Sequence, residues 1–414
     1  MAPVPTGFGF ERPQNLDYVV GVARPWHRSR AGKAVAPMTA TNPFDSTTIL
    51  EGIRRWVEIE TPTQAPAQVN KLVSVVAEGY RGLPVSVDRV AGKDGCGDHL
   101  MARSRWGQDA PGILVLSHLD TVHPLGFIER LPFKIDGDSA FGPGIYDMKG
   151  GAYLAYHAFR QLCTNRAGWS LGVTHLFVSD EEIGSPTSRA LIEAEGAKSK
   201  YVLVTEPARD GGKIVTARKG IGAFIVRTHG RPAHSGSSPD KGRSAIAAMA
   251  ELVLAIERMN DPPRGVTTNV GLINGGTARN TVAEDCMIEV DLRFSDRASA
   301  SALEANVLAL KSSRPDIETT VTGRITRPPF AREKIVDLVF DQAAAIAQEI
   351  GFKLESTAPV GGGSDGNFTV AMGIPTLDGL GVDGDGAHTN EEYLKYSSIE
   401  PRTRLMQGLM ERLS

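Results

Sequence analysis

Short apolar runs with few polar interruptions recur along the first half of the chain: ILVLS (113–117), THLFVS (174–179) and YVLVT (201–205). Runs of this kind read as strands buried on both faces, as in parallel sheets. Between and before them, apolar residues fall at helical spacing. STTILEGIRRWVEI (46–59), with Ser46 as its cap, and KGGAYLAYHAFRQL (149–162) predict amphipathic helices. Strand and helix alternate to residue 210, which predicts a parallel sheet covered on both faces.

The middle third changes character. GAFIVRTHG (222–230), VTTNVGLIN (266–274), CMIEVDLRF (286–294) and IETTVTGR (317–324) read as strands, with helices at 244–259 and 300–312. The order β-α-β-β-α-β is that of a ferredoxin-like unit. After TRPPF (326–330) the earlier alternation returns, with helices at 333–350, 365–372 and 398–412 and strands at 355–360 and 374–380. The predicted fold class is therefore α/β: a mixed, mostly parallel sheet domain in two pieces, 42–213 and 327–414, with 214–326 inserted as a ferredoxin-like (βαββαβ) domain. Residues 1–41 read as a disordered N-terminal extension. They are proline-rich and basic (Arg12, Arg24, Arg28, Arg30, Lys33), with Met38 as an alternative start. Their best apolar stretch, YVVGV (18–22), is too short for the ~7–15-residue core of a signal peptide.

Bulk composition narrows the class without choosing a function. A chain of 414 residues exceeds one ordinary core, and 41% apolar with 22% charged residues is a globular composition. The net charge of −3 gives no general attraction to nucleic acid or to an anionic membrane. No apolar run approaches the ~20 residues that span a bilayer. Cys96, Cys163 and Cys286 are far apart, form no CxxC pair and read as buried small hydrophobes, which suits a reducing cytoplasm.

Acidic and histidine residues cluster where strands end. His118 and Asp120 lie in SHLDTV, Asp147 in GPGIYDMKGG, Glu181 and Glu182 in SDEEIGS, Glu206 in VTEPA and His388 in GDGAHTNEEY. Ligands in open α/β sheets bind beyond the carboxyl ends of strands, and imidazole and carboxylate are ligands zinc accepts. Because a carboxylate can bridge two ions, the set points to a two-metal hydrolase. His118 is then a ligand, with Asp120 accepting its other ring N–H and so fixing its tautomer. Glu181 and Glu182 point to different sides of a chain leaving a strand, one for metal and the other as general base. Glu206, after a fully apolar strand, needs a partner if buried. Singly, each residue has an ordinary reading: a chance loop histidine, a helix cap at Asp147, a solvated acidic turn. Together they form a site.

In order and local context these motifs resemble the M20 family of metallopeptidases and deacylases, from residue 45 to the C-terminus. H-x-D-T-V, GPG-x-x-D-x-KGG, the EE pair, the TEP glutamate and the late histidine all match, and the chain is most similar to the glutamate carboxypeptidase (carboxypeptidase G2-type) branch. The resemblance implies two Zn2+ per subunit, with Co2+ or Mn2+ as substitutes. His118 and Glu206 would bind one ion, Glu182 and His388 the other, and Asp147 would bridge them. It also implies a cis Asp147–Met148 bond and Glu181 as general base. The insertion would be a dimerisation domain, its His234 (in RPAHSG) supplied to the neighbouring subunit's site. Asn280 in ARNTV and Arg293 in DLRF would contact substrate, the arginine gripping its carboxylate. Ala283 departs from the family pattern, where many members have proline. GGGSDGN (361–367), including Gly362, is expected to offer backbone N–H groups to an anionic substrate end.

Relatives that cleave di- and tripeptides from the amino end usually carry aspartate where this chain has Glu206. The expected activity is thus release of a C-terminal, glutamate-like amino acid from a peptide or N-acyl amino acid by a cytoplasmic homodimer. Neither nucleic acid nor membrane is an expected partner. An N-acyl-amino-acid deacylase of the acetylornithine or succinyl-diaminopimelate type is the alternative. A non-catalytic binding protein ranks last, since every ligand and the base are present.

Overall fold

The computed structural model describes residues 42–164 and 171–414. The expectation of a disordered extension over 1–41 lies outside the described residues.

The first sheet has six strands in the order Val85–Val90, His99–Ser104, Val173–Val178, Gly112–His118, Ser199–Val204, Thr376–Leu377. The last four run parallel, while His99–Ser104 pairs antiparallel with both of its neighbours, so the sheet is mixed. Strand periodicity explains why its centre must be covered twice. Along Gly112–His118, Ile113 and Val115 enter one apolar cluster with Val73, Phe159 and Leu409, while Leu114 and Leu116 enter another with Val202 and Phe368. Helices Ser46–Val57, Pro66–Gly79, Gly151–Thr164, Lys334–Ile350 and Ile399–Arg412 contribute to the cover.

A second, antiparallel sheet has the order Glu318–Arg327, Gly220–His229, Asp285–Phe294, Thr267–Gly275. Its strands occur along the chain as β-α-β-β-α-β with helices Ala245–Glu257 and Arg297–Leu308. Burial alternates strictly along Gly220–His229, and Phe224, Val226, Ile288, Leu292, Met249 and Leu303 form a separate core on one side. Ser244 and Asp296 cap the two helices. The chain enters and leaves side by side, Arg218 and Phe330 exchanging backbone hydrogen bonds of 2.8 and 3.0 Å.

A third, small sheet joins Gly384–Asp385, Tyr393–Lys395, Ser139–Phe141 and Lys134–Asp136. It brings the late His388 loop against the segment that leads to Asp147.

Several expectations are corrected. Asp45, not Ser46, caps the first helix, accepting from Thr48 N. The stretch 355–360 forms no strand: Ser356 and Val360 make single bridges to Ile214 and Arg218, and Pro359 lacks the N–H a ladder needs. The strand expected at 374–380 shortens to Thr376–Leu377, between Pro375 and the left-handed Gly379 (φ +70°). All three cysteines are buried and free. Among the described residues no helix is long and apolar enough to cross a membrane.

Candidate metal centre

Parallel strands end together, and their ends carry the site. His118 closes Gly112–His118, Glu206 follows Ser199–Val204, and a short 3-10 turn, Glu181–Ile183, follows Val173–Val178. That turn, rather than an extended chain, separates the directions of Glu181 and Glu182. Asp147 sits in a wide helical turn, Ile145–Gly150, where its peptide bond to Met148 is cis.

The side chains converge closely. Asp147 Oδ1 lies 3.3 Å from His118 Nε2, and its Oδ2 lies 3.4 Å from His388 Nε2. Glu206 Oε1 is 3.6 Å from His118 Nε2, and Glu182 Oε2 is 3.2 Å from His388 Nε2. The two oxygens of Asp147 thus face different histidines. Potential donor atoms of His118, Glu181 and Glu206, and of His118, Asp147 and Glu182, lie within 4.8 Å of one another in each trio.

Electrostatics shows what this cluster favours. Burial pushes Glu181 up to about 8, although Arg327 pulls the other way. Burial also raises Glu182, and it raises Glu206 well above the usual carboxylate range with the charges of Asp147 and Glu181 adding to the effect. Hydrogen bonds to Asp147 and Glu182 lift His388 to about 10. Burial opposes charge on both His118 and Asp147, yet their contacts keep the imidazole protonated well above its ordinary range and the carboxylate ionised. Crowded, buried carboxylates whose pKa values are raised favour an added positive charge, which a divalent cation would supply while displacing protons. Glu182 Oε1 adds a direct sign, because it is buried with no hydrogen-bond partner. The donor set of imidazole and carboxylate fits zinc.

Asp120 is fully buried but does not take the role expected of its carboxylate. His118 Nδ1 is 2.9 Å from the Asp120 carbonyl oxygen and 3.6 Å from its carboxylate. The carboxylate instead accepts from the backbone amides of Glu181 and Glu182, both at 3.2 Å, and from Thr63 Oγ1 at 2.7 Å. It orients the glutamate turn, while the backbone orients the histidine.

The residues expected to meet substrate lie on the second sheet and its connections. His234 and Asn280 are neighbours on an exposed rim, where His234 bridges to Thr281 and Ser235 N donates to Asn280 O. His234 Nδ1 accepts from the amides of Gly236 and Ser237 at 3.1 and 3.2 Å, so a neutral ring carries its proton on Nε2. Among the described residues, no hydrogen bond or ion pair joins His234 or Asn280 to the ligand cluster. Arg293 pairs with Asp291 at 2.8 Å and donates to Gly361 O at 3.3 Å. The carbonyls of Gly362 and Gly363 accept from Arg218 Nη1, so this loop turns acceptors inward beside the N–H groups expected of it.

Two charged partners escaped the sequence reading. Arg327, the last residue of its strand, donates to Glu181 Oε1 at 2.7 Å and to Asp365 Oδ1 at 2.8 Å. Arg218 is bidentate on Asp378 at 2.6 and 3.0 Å and lies 3.8 Å from Glu206, supplying the partner that a buried carboxylate needs. The arginines in TRPPF and TARKG were visible, but nothing in their spacing says which carboxylate each meets.

Comparison with known proteins agrees with this geometry. The chain is 28% identical over 392 residues to carboxypeptidase G2 of Pseudomonas sp. (strain RS-16), covering 92% of this chain and 94% of that protein. It is 27% identical to succinyl-diaminopimelate desuccinylase of Hydrogenovibrio crunogenus, over 76% of this chain and 86% of the relative. The crystal structure of aminopeptidase PepT from Bacillus cereus shares the fold, with a TM-score of 0.69 at 23% identity, covering 89% of this chain and 99% of that one. Residues 114–412, which include every candidate ligand position, match the family model of peptidase family M20/M25/M40. A converging set of histidines and carboxylates at parallel strand ends, within a match of that extent, makes this chain a member of peptidase family M20/M25/M40 and a metal-dependent hydrolase.

Proposed function

We propose that the chain is a dizinc amidohydrolase that releases a C-terminal, glutamate-like amino acid from a peptide or N-acyl amino acid. The observation that carries this reading is Glu182 Oε1, buried without a partner amid Asp147, His118 and His388. His118 and Glu206 would hold one ion, Glu182 and His388 the other, and Asp147 would lie between them. Ions held there supply Lewis acidity toward a carbonyl and lower the pKa of water. Glu181 takes the proton from the attacking water and returns it to the leaving amine. Its enclosure and raised pKa suit a base that must also act as an acid near neutrality. Arg327 holds Glu181 in place until substrate arrives.

His234 is the second functional group in this reading. Its Nε2–H is free to donate to the carbonyl oxygen as negative charge develops there. Since it is not joined to its own chain's cluster, we assign it to the site of a second subunit, with residues 214–326 as a ferredoxin-like dimerisation domain. Ile246 and Leu254 are exposed on the Ala245–Glu257 helix, eight residues apart and hence on one face. Leu272 and Ile273 are each 60% exposed on the edge strand Thr267–Gly275. Leu272 and Ile273 face opposite sides of that strand, so the helix face and one side of the strand edge offer apolar surface for such a pairing. Asn280 and Arg293 would contact the substrate, the arginine through its carboxylate.

The desuccinylase relative favours a second reading, hydrolysis of an N-succinyl or N-acetyl amino acid by the same residues. The test is zinc content per subunit, together with hydrolysis of a panel of N-acyl and N-benzoyl amino acids and short peptides. Two zincs per subunit and preference for an N-acyl or peptidyl glutamate support the first reading. A preference for N-succinyl or N-acetyl groups on basic amino acids selects the second, and failure to bind metal refutes both.

A further inference from the structure

Glu392 lies outside the ligand set, yet it has no exposed surface. Its Oε1 accepts from the amides of Tyr146 and Asp147, both at 2.9 Å, and its Oε2 accepts from the amide of Gly144 at 2.8 Å. His123 Nε2, its ring stacked on Phe127, lies 2.8 Å from Oε2. One buried carboxylate therefore holds three amides of a single turn, the turn that presents Asp147. Amide-to-carboxylate bonds are charge-assisted and stronger than neutral ones, and three of them leave that backbone little freedom.

Its place in the chain gives this clamp a second end. Glu392 is four residues after His388 and directly precedes the strand Tyr393–Lys395. That strand pairs antiparallel with Ser139–Phe141, which leads into the Asp147 turn. Gly142 N also donates to the Glu392 carbonyl, at 3.4 Å. The residue stands where the loop carrying His388 meets the turn carrying Asp147, and it is bonded to the turn by both side chain and backbone.

We propose that Glu392 is a positioning residue for the metal centre: by fixing the Gly144–Asp147 turn against the His388 loop, it makes Asp147 and His388 present their donor atoms to the same ion. This rests on the reading that Asp147 and His388 are metal ligands. His123 supports the clamp from the other side by holding Oε2.

The test is Glu392→Gln, which removes the charge and turns one acceptor oxygen into an N–H donor that faces other N–H groups. Wild-type protein and variant are stripped of metal, then titrated with Zn2+ against a chromophoric chelator and with Co2+ followed by visible absorption. Zinc binding weaker by about ten- to a hundred-fold is expected, as for other outer partners of metal ligands. The cobalt bands should shift, and kcat should fall while KM changes little. Unchanged zinc affinity and cobalt spectrum would overturn the proposal. If the variant does not fold, His123→Ala removes one donor and leaves the amide bonds. Several-fold weaker zinc binding is then expected, and unchanged binding overturns the proposal. A wild-type protein that takes up no metal would refute the ligand assignment itself, an outcome distinct from a variant that binds as well as wild type.

Discussion

Glu181 sits 2.7 Å from Arg327 at the mouth of the Glu181–Ile183 turn, and its carboxylate is 12% exposed. Glu181→Gln keeps the size of the side chain and every assigned ligand while removing the proton acceptor. It should retain zinc content and lower kcat by about a hundred- to ten-thousand-fold. Near-normal turnover in that variant would mean that the roles of Glu181 and Glu182 have been exchanged. A second residue-scale prediction concerns His175, which is wholly buried and bonded to Ser117 Oγ at 2.8 Å. Burial holds its pKa well below the ordinary 6.5, so below that pH the unfolded chain binds a proton that the folded chain refuses. Its contribution to stability is whole above 6.5 and is lost as pH falls below, with a slope of about 1.4 kcal/mol per pH unit. His99 and His157, also lowered by burial, act in the same direction. The raised glutamates and histidines of the site act in the opposite direction, so the His175 effect is read as a difference between proteins. In urea unfolding of metal-free protein between about pH 7.5 and 5, wild type should lose stability relative to His175→Phe as pH falls, and equal slopes would contradict the assignment.

Helix and strand approach each other unusually closely around the site, and glycine permits it. A Cβ on Gly151, the first residue of Gly151–Thr164, would lie 2.0 Å from the carbonyl oxygen of Thr205 and 2.9 Å from Gly381 Cα. Gly151 thus serves backbone packing against the strand that leads to Glu206. Gly151→Ala must push the helix off that strand. It should lower stability by about 1–3 kcal/mol, the usual cost of overpacking. Zinc affinity should fall as well, because Asp147 and Glu206 lie at the two ends of the displaced contact. Denaturation and chelator competition on the same preparation would check both, and full zinc affinity at wild-type stability would refute the account.

At the scale of the whole molecule, the sheets divide the labour: the six-stranded sheet and the small third sheet gather the candidate ligands, and the antiparallel four-stranded sheet carries His234 on an exposed rim. If His234 completes a partner's site, His234→Ala and Glu181→Gln proteins, each nearly inactive, should recover activity when mixed and allowed to exchange subunits. By two-fold symmetry the mixed dimer has one site with both groups intact, so up to about half the activity of a wild-type dimer is expected. Sedimentation or mass measurement must first show that exchange occurs. No recovery after proven exchange would confine His234 to its own chain or to no role.

The sequence by itself determined which strands are central and what stands at their ends. Uninterrupted runs such as ILVLS can be buried on two faces only, so His118 and Glu206 had to emerge at the carboxyl edge of one sheet. The β-α-β-β-α-β order was legible for a similar reason, since its alternating strands and capped helices carry their own periodicity. Edge elements such as Val85–Val90 and Lys134–Asp136, mostly exposed and short, carry little of that signal. The tertiary structure alone decided which polar residues hold the ligands. Glu391 and Glu392 are adjacent and chemically identical, yet Glu391 is exposed and Glu392 is buried against three amides from residues 144–147. Arg327 and Arg218 likewise differ from other arginines only in the carboxylates they meet. Such choices depend on which loops a sheet brings together, here the pairing of Tyr393–Lys395 with Ser139–Phe141 across more than two hundred residues. Local periodicity registers which face of an element is buried, but a hydrogen bond between distant loops leaves no period in either of them.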